Sequence, residues 1–195
     1  MFIWISKAPY LALILLLAAC QVSPAVFALQ GSNRQMSVLG GEVLVAAPSG
    51  YCVDKSSARQ QSDGAVVLIG RCSSASQRPS AVIGVTIGIA ASAGVIADGG
   101  VALAAFFQTP DGRAMLSRTG QAETVRLVQS GTVDGVFVMR IAETDVGDYW
   151  RAVLGISGRL VTVSVQGPEG TSLDPTAGQT LLHATIASMR RANVS

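Results

Sequence analysis

Tyr149-Trp150-Arg151-Ala152-Val153-Leu154-Gly155-Ile156, then Ser157-Gly158, then Leu160-Val161-Thr162-Val163-Ser164-Val165 is the stretch that decides the fold of this chain. Two runs dense in β-branched and aromatic residues flank a small-residue turn, the pattern of two strands joined by a tight hairpin. A connection that short makes the strands antiparallel, because a parallel pair needs a crossover of a dozen residues or more. Upstream, Thr124 to Val128 and Val136 to Ala142 are further strand-forming runs in close order. Downstream, Gly167-Pro168-Glu169-Gly170 opens a loop and Asp174-Pro175 starts a helix, with a capping carboxylate and a proline at the first helical position. On that helix Leu182, Ile186 and Met189 recur at helical spacing and form an apolar face for the sheet. Arg190 and Arg191 fall at the negative end of its dipole.

The N-terminal half continues the pattern. Val38-Leu39 and Val43-Leu44-Val45 before Pro48-Ser49-Gly50 read as one strand ending in a turn, and the polar residues from Lys55 to Gly64 as a loop or short helical turn. Ala65 to Gly70 is the next strand. From Ala81 to Phe107 the single charge is Asp98, a length that raises the question of a membrane helix. Gly84, Gly88, Gly94, Gly99 and Gly100 interrupt it and Val82-Ile83, Val85 and Ile87 favour extended backbone, so the spacing predicts a buried strand over Val82 to Ile89, a glycine-rich loop and a helix from near Val101. Leu103, Phe106 and Phe107 are expected to face inward. Thr109 caps a following helix with Pro110 at its first position and Gly120 closing it. Together these elements predict an α+β domain: an antiparallel sheet of six to seven strands with two or three helices packed on it.

Residues 1–30 have the form of a secretory signal, with Lys7 the only charge and an apolar run from Leu11 to Ala19 too short to remain as a spanning helix. Two cleavage sites compete. Leu17-Ala18-Ala19-Cys20 matches a lipobox at every position, which makes Cys20 a lipidation site bearing diacylglycerol and palmitate-class acyl chains. Val26-Phe27-Ala28 offers small residues to an ordinary signal peptidase, which would release a soluble periplasmic chain starting at Leu29. The lipobox is preferred because Cys20 falls directly at the end of the apolar run. On this reading residues 1–19 are the signal peptide, 20–35 a Ser/Pro/Gly/Gln tether and 36–195 a single periplasmic domain. By resemblance to enterobacterial lipoproteins, Gln21 rather than Asp after the cysteine implies the outer membrane rather than the inner.

The remaining cysteines, Cys52 and Cys72, form an even pair in an exported domain, most simply a disulfide. Composition, 49% hydrophobic and 13% charged, suits a packed globular body. The net charge of +2 drops to +1 without Lys7, and the arginines are scattered singly apart from Arg190-Arg191, so nucleic acid is excluded as a partner class.

At Tyr51-Cys52-Val53-Asp54, Phe106-Phe107, Gly112-Arg113-Ala114-Met115-Leu116-Ser117 and the terminal strand and helix, the chain resembles a group of uncharacterised alphaproteobacterial (Rhodobacter-group) lipoproteins. Its order of elements is similar to that of the PsbP and Mog1 proteins. The latter resemblance implies partner binding and supplies no catalytic residues.

Reactive side chains are sparse. No G-x-S-x-G elbow, phosphate-binding loop or dinucleotide fingerprint is present, and no cofactor is expected. His183 is the only histidine and falls on the polar side of the last helix. Glu143, Asp145 and Asp148 share one connection and read as a solvated turn, the alternative being a cation site. Asp54, beside Cys52 and Lys55, reads as structural. The expectation is an envelope lipoprotein that binds a protein partner or small ligand, the alternative an enzyme built around His183, Asp54 or the acidic connection.

Overall fold

The computed structural model describes residues 33–194. Nine strands and three helices follow in order: β1 (Gln35–Val38), β2 (Val43–Ala46), β3 (Tyr51–Gln60), β4 (Ala65–Arg71), β5 (Val82–Ile87), α1 (Val101–Phe106), α2 (Pro110–Leu116), β6 (Val125–Val133), β7 (Val136–Glu143), β8 (Gly147–Ile156), β9 (Arg159–Gln166) and α3 (Pro175–Ala192). Seven strands form one antiparallel sheet in the order β3-β4-β5-β9-β8-β7-β6, and β1 and β2 form a separate ribbon. The class is α+β, as expected.

The hairpin that decides the fold pairs Ile156 with Arg159, and both turn residues, Ser157 and Gly158, take left-handed backbone (φ 51° and 72°), the two-residue turn that matches strand twist. Strict alternation along β9 sends Val161, Val163 and Val165 to one face, where α3 lies. That helix begins as its sequence dictates, with the Asp174 carboxylate accepting from the Ala177 N–H at 2.8 Å and Pro175 in the first turn. Leu182, Ile186 and Met189 are buried against Val138, Trp150, Ala152, Leu154 and Val163, each fully buried apolar side chain contributing about 1.5–3 kcal/mol. Trp150 reaches the start of the helix, where its Nε1–H donates to the Pro175 carbonyl at 2.8 Å.

The opposite face carries a smaller core: Phe107, Leu116, Val125, Phe137, Met139, Ile141, Tyr149 and Val153. It is roofed by α1 and α2, which lie in the connection from β5 to β6. The stretch from Ala81 to Phe107 is thus a strand, a 3-10 turn and a short helix, and among the described residues no helix is long and apolar enough to cross a membrane. Asp98 has a structural use: its carboxylate accepts from the N–H groups of Ala102 (2.8 Å) and Gly100 (2.9 Å), which open α1 and hold its carboxyl below the ordinary value. Phe107 stacks on Phe137 with ring centroids 6.2 Å apart. Phe106 does not face inward as expected; it is 36% exposed, because adjacent helical residues point about 100° apart and a six-residue helix cannot bury both.

Two other expectations are corrected. Residues 38–45 are two strands, because Leu39, Gly40 and Gly41 all take positive φ and fold the run into the β1–β2 ribbon. The polar segment from Lys55 is neither loop nor helical turn up to Gln60; it continues β3, with a register shift between Asp54 and Arg59. β3 is an edge strand whose side chains there meet solvent, so no apolar alternation marks it, and the pairing is carried by backbone and by Ser57 Oγ, which accepts from the Leu68 N–H at 2.9 Å.

Arg159 ties the pieces together. Buried at the start of β9, its guanidinium donates from Nε to Glu42 Oε2 (2.9 Å), with Nη2 2.8 Å from the same oxygen in an ion pair, and from Nη1 to the carbonyls of Asp63 (3.0 Å) and Gly88 (2.9 Å). One side chain thereby joins the ribbon, the β3–β4 turn and the end of β5.

Candidate functional site

The cysteines meet as the sequence implies. Cys52 on β3 pairs in register with Gly70 on β4, and Cys72 lies just past β4, so the two Cα atoms stand 4.9 Å apart and the thiols are joined. Cys20 lies outside the described residues, as do both cleavage sites.

The acidic connection is not a cluster. Glu143 ends β7 on the face roofed by α2 and is buried, contrary to the solvated turn expected of it. Its Oε1 accepts from the Arg118 N–H at 2.6 Å and its Oε2 from the Tyr149 hydroxyl at 3.1 Å, so the carboxylate satisfies the backbone just beyond α2. Burial pushes the Tyr149 phenol up to about 12, Arg151 opposing and Glu143 reinforcing the shift. Asp148 points to the other face and pairs with Arg140. Asp145 is exposed in the turn at φ 64°. One expected trio is therefore divided among two faces and a loop.

Asp54 is exposed and held below its ordinary value mainly by the Ser56 hydroxyl, with the Ser56 N–H adding a bond at 2.9 Å. It lies five strands from Glu143, about 24 Å at the usual spacing of roughly 4.8 Å. His183 is exposed on α3, beyond the opposite face of the sheet, in a shallow groove with Val133, Val138, Ile186 and Arg190. The structure brings no two of His183, Asp54 and the acidic connection together. Among the described residues no three His, Cys, Asp or Glu side chains are placed to hold a metal ion.

A different place has the form of a binding site: a cleft of 370 Å³ between the β1–β2 ribbon and the last turn of α3, lined by Arg34, Gln35, Ala46, Ala47, Ser188 and Arg191. Arg34 donates from Nη2 to the Ala47 carbonyl (3.3 Å) and Arg191 from Nη2 to Ser188 Oγ (3.2 Å). Neither joins an ion pair among the described residues, where the ion pairs are Arg140–Asp148 and Arg159–Glu42. Two guanidiniums around an open cleft with the floor hydroxyl of Ser188 are suited to a carboxylate or phosphate group. The sequence marks this cleft only through Arg191. Arg34 is 157 residues away in the chain and meets it through the ribbon.

No protein-family model matches the chain, and none of the curated proteins matches it. Among solved structures, a point-mutant form of "Protein Mog1" is similar at a TM-score of 0.45 and 14% identity, covering 82% of this chain and 94% of that chain.

Proposed function

We propose that this protein is an exported envelope lipoprotein, held by lipid on Cys20, that works by binding rather than by catalysis. The observation that carries the reading is the Cys52–Cys72 bond, since a structural disulfide suits an oxidising compartment outside the cytoplasm. The lipobox at Leu17–Cys20 and the resemblance to alphaproteobacterial lipoproteins support the anchor, with Gln21 favouring the outer membrane. Dispersal of His183, Asp54 and Glu143 supports binding over catalysis. The ligand class follows from Arg34 and Arg191: an anionic group, on a small molecule or an envelope partner, seated between the ribbon and α3.

Intact mass of the protein from the membrane fraction tests the first half. A chain starting at Cys20 with a lipid-sized addition is expected, together with a reductant-dependent gain of two hydrogens. A chain starting at Leu29 without lipid replaces the anchor with a soluble periplasmic protein. Titration with inorganic phosphate tests the second half: binding is expected for the native chain and lost in an Arg34→Gln, Arg191→Gln double variant, and equal behaviour of the two removes the cleft as the site.

A further inference from the structure

We propose that the outer edge of β6 is a self-association surface, at which the strand pairs antiparallel with β6 of a second copy about a two-fold axis at Gly131. β6 is an end strand of the sheet, and every residue from Val128 to Val133 is exposed. The segment Val128-Gln129-Ser130-Gly131-Thr132-Val133 contains no charge and no proline, the usual devices by which an edge is kept single. The other edge is protected by charge and by cover. β3 carries Lys55 and Arg59, and its outer side is met by Asn33, whose carbonyl accepts from the Val53 N–H at 2.6 Å. Nothing comparable covers β6 among the described residues.

The register selects the pairing. Val133 closes on Val136 across the two-residue turn Asp134-Gly135 (φ 50° and 71°), so Val133, Gly131 and Gln129 bond inward to β7. The amides and carbonyls of Ser130 and Thr132 then point outward. Pairing centred on Gly131 sets Ser130 of each copy opposite Thr132 of the other and closes four backbone hydrogen bonds with all of these groups. Centring on Ser130 instead would engage Val128 at the bulge between Leu127 and Gln129, where the ladder is irregular. About Gly131, Gln129 meets Val133, no charge faces its own copy, and the flanking charges, Arg126 and Asp134, are opposite in sign, so that the ends of the paired segment do not repel. Val128 and Val133, 36% and 52% exposed, are covered by the pairing.

Gly131 is also where the test can be made cleanly. A Cβ there meets nothing within 4 Å and the residue's φ is not positive, so a side chain leaves the isolated domain undisturbed. By sedimentation in mild detergent, the full chain is expected to have the mass of two copies. Gly131→Lys should reduce it to one by opposing two ammonium groups, and mixing with Gly131→Glu should restore two. After oxidation, Gly131→Cys should give a covalent dimer on a non-reducing gel, while Met115→Cys, also exposed, on α2, should stay at the level of the native chain. A single-copy mass at every soluble concentration overturns the proposal. So does a two-copy mass unchanged by Gly131→Lys, which puts the contact elsewhere. Neither result bears on the lipid anchor.

Discussion

Glu143 shows how one carboxylate can be structural inside an acidic run. It is the member of the run whose two oxygens both face protein donors, the Arg118 N–H and the Tyr149 hydroxyl. Glu143→Ala removes the acceptor of the Arg118 N–H, and should cost on the order of 1–3 kcal/mol in a denaturant titration. Asp145→Asn, exposed in the next turn, should cost nothing measurable by the same assay. Tyr149 adds a pH signature. Its folded-state pKa near 12 lies above the unfolded value near 10, so the folded protein holds the proton more tightly. The associated stability, about 2–3 kcal/mol from the size of the shift, is complete below pH 10 and is lost as pH rises toward 12. In the difference between the native chain and Tyr149→Phe, tyrosinate absorbance should therefore rise with a midpoint near pH 12 while the circular dichroism is native; a midpoint near 10 in the folded chain would contradict this. Nothing in the sequence separates Glu143 from Asp145 and Asp148. Which of the three turns inward depends on the β7–β8 register and on α2 arriving from 30 residues away.

Among elements, the helices were the most legible at their starts, which local chemistry specifies; the end of α2, expected at Gly120, comes at Leu116, where Ser117 turns to extended backbone. Thr109 accepts from the Gly112 N–H through its side chain and Asp174 from the Ala177 N–H, each before a proline. Asp174→Ala should lower stability by about 1 kcal/mol, while Asp174→Asn should stay near the native value, as read from denaturation midpoints. A larger effect would arise at Gly112, where an added Cβ would stand 2.1 Å from the Phe106 carbonyl oxygen. Strands were legible wherever one face is buried, as in β4, β8 and β9. They were not legible in the outer half of β3 or in β6 beyond Val128, where most side chains meet solvent and no apolar alternation marks the strand. The β1–β2 ribbon was hidden by the opposite cause: its two apolar runs are short and adjacent, and only the backbone angles at Leu39, Gly40 and Gly41 divide them.

For the whole molecule, antiparallel pairing and the α+β class follow from short turns and patterning, but strand order does not. β5 lies beside β9, joining an N-terminal and a C-terminal meander at mid-sheet, a long-range pairing that leaves no local mark. The Arg34–Arg191 cleft is equally a product of that global arrangement. Cys52 and Cys72 were legible from number alone. They close a loop of 20 residues, so reduction should lower unfolding free energy by about 3 kcal/mol in the chain-entropy account. Denaturant curves with and without reductant measure it, and coincident curves would mean that the β3–β4 hairpin already restricts the unfolded chain.

The ribbon has a mechanical consequence. Chain tension applied before Asn33 enters the fold through the bonds from Asn33 to Val53 and Arg34 to Ala47, then through a two-stranded ribbon held at its far side by Asn193, whose amide bonds both backbone groups of Leu44. Those bonds are loaded one after another, but Val38, Val43 and Val45 of the ribbon lie in the main core and Glu42 is paired with Arg159, so the load passes directly to the body of the domain. In a single-molecule pull from the N-terminal side, ribbon and sheet should therefore give way in one rupture; a separate extension at low force before it would mean that the ribbon peels alone. The ribbon thus acts as a load-sharing clamp between the entering chain and the sheet.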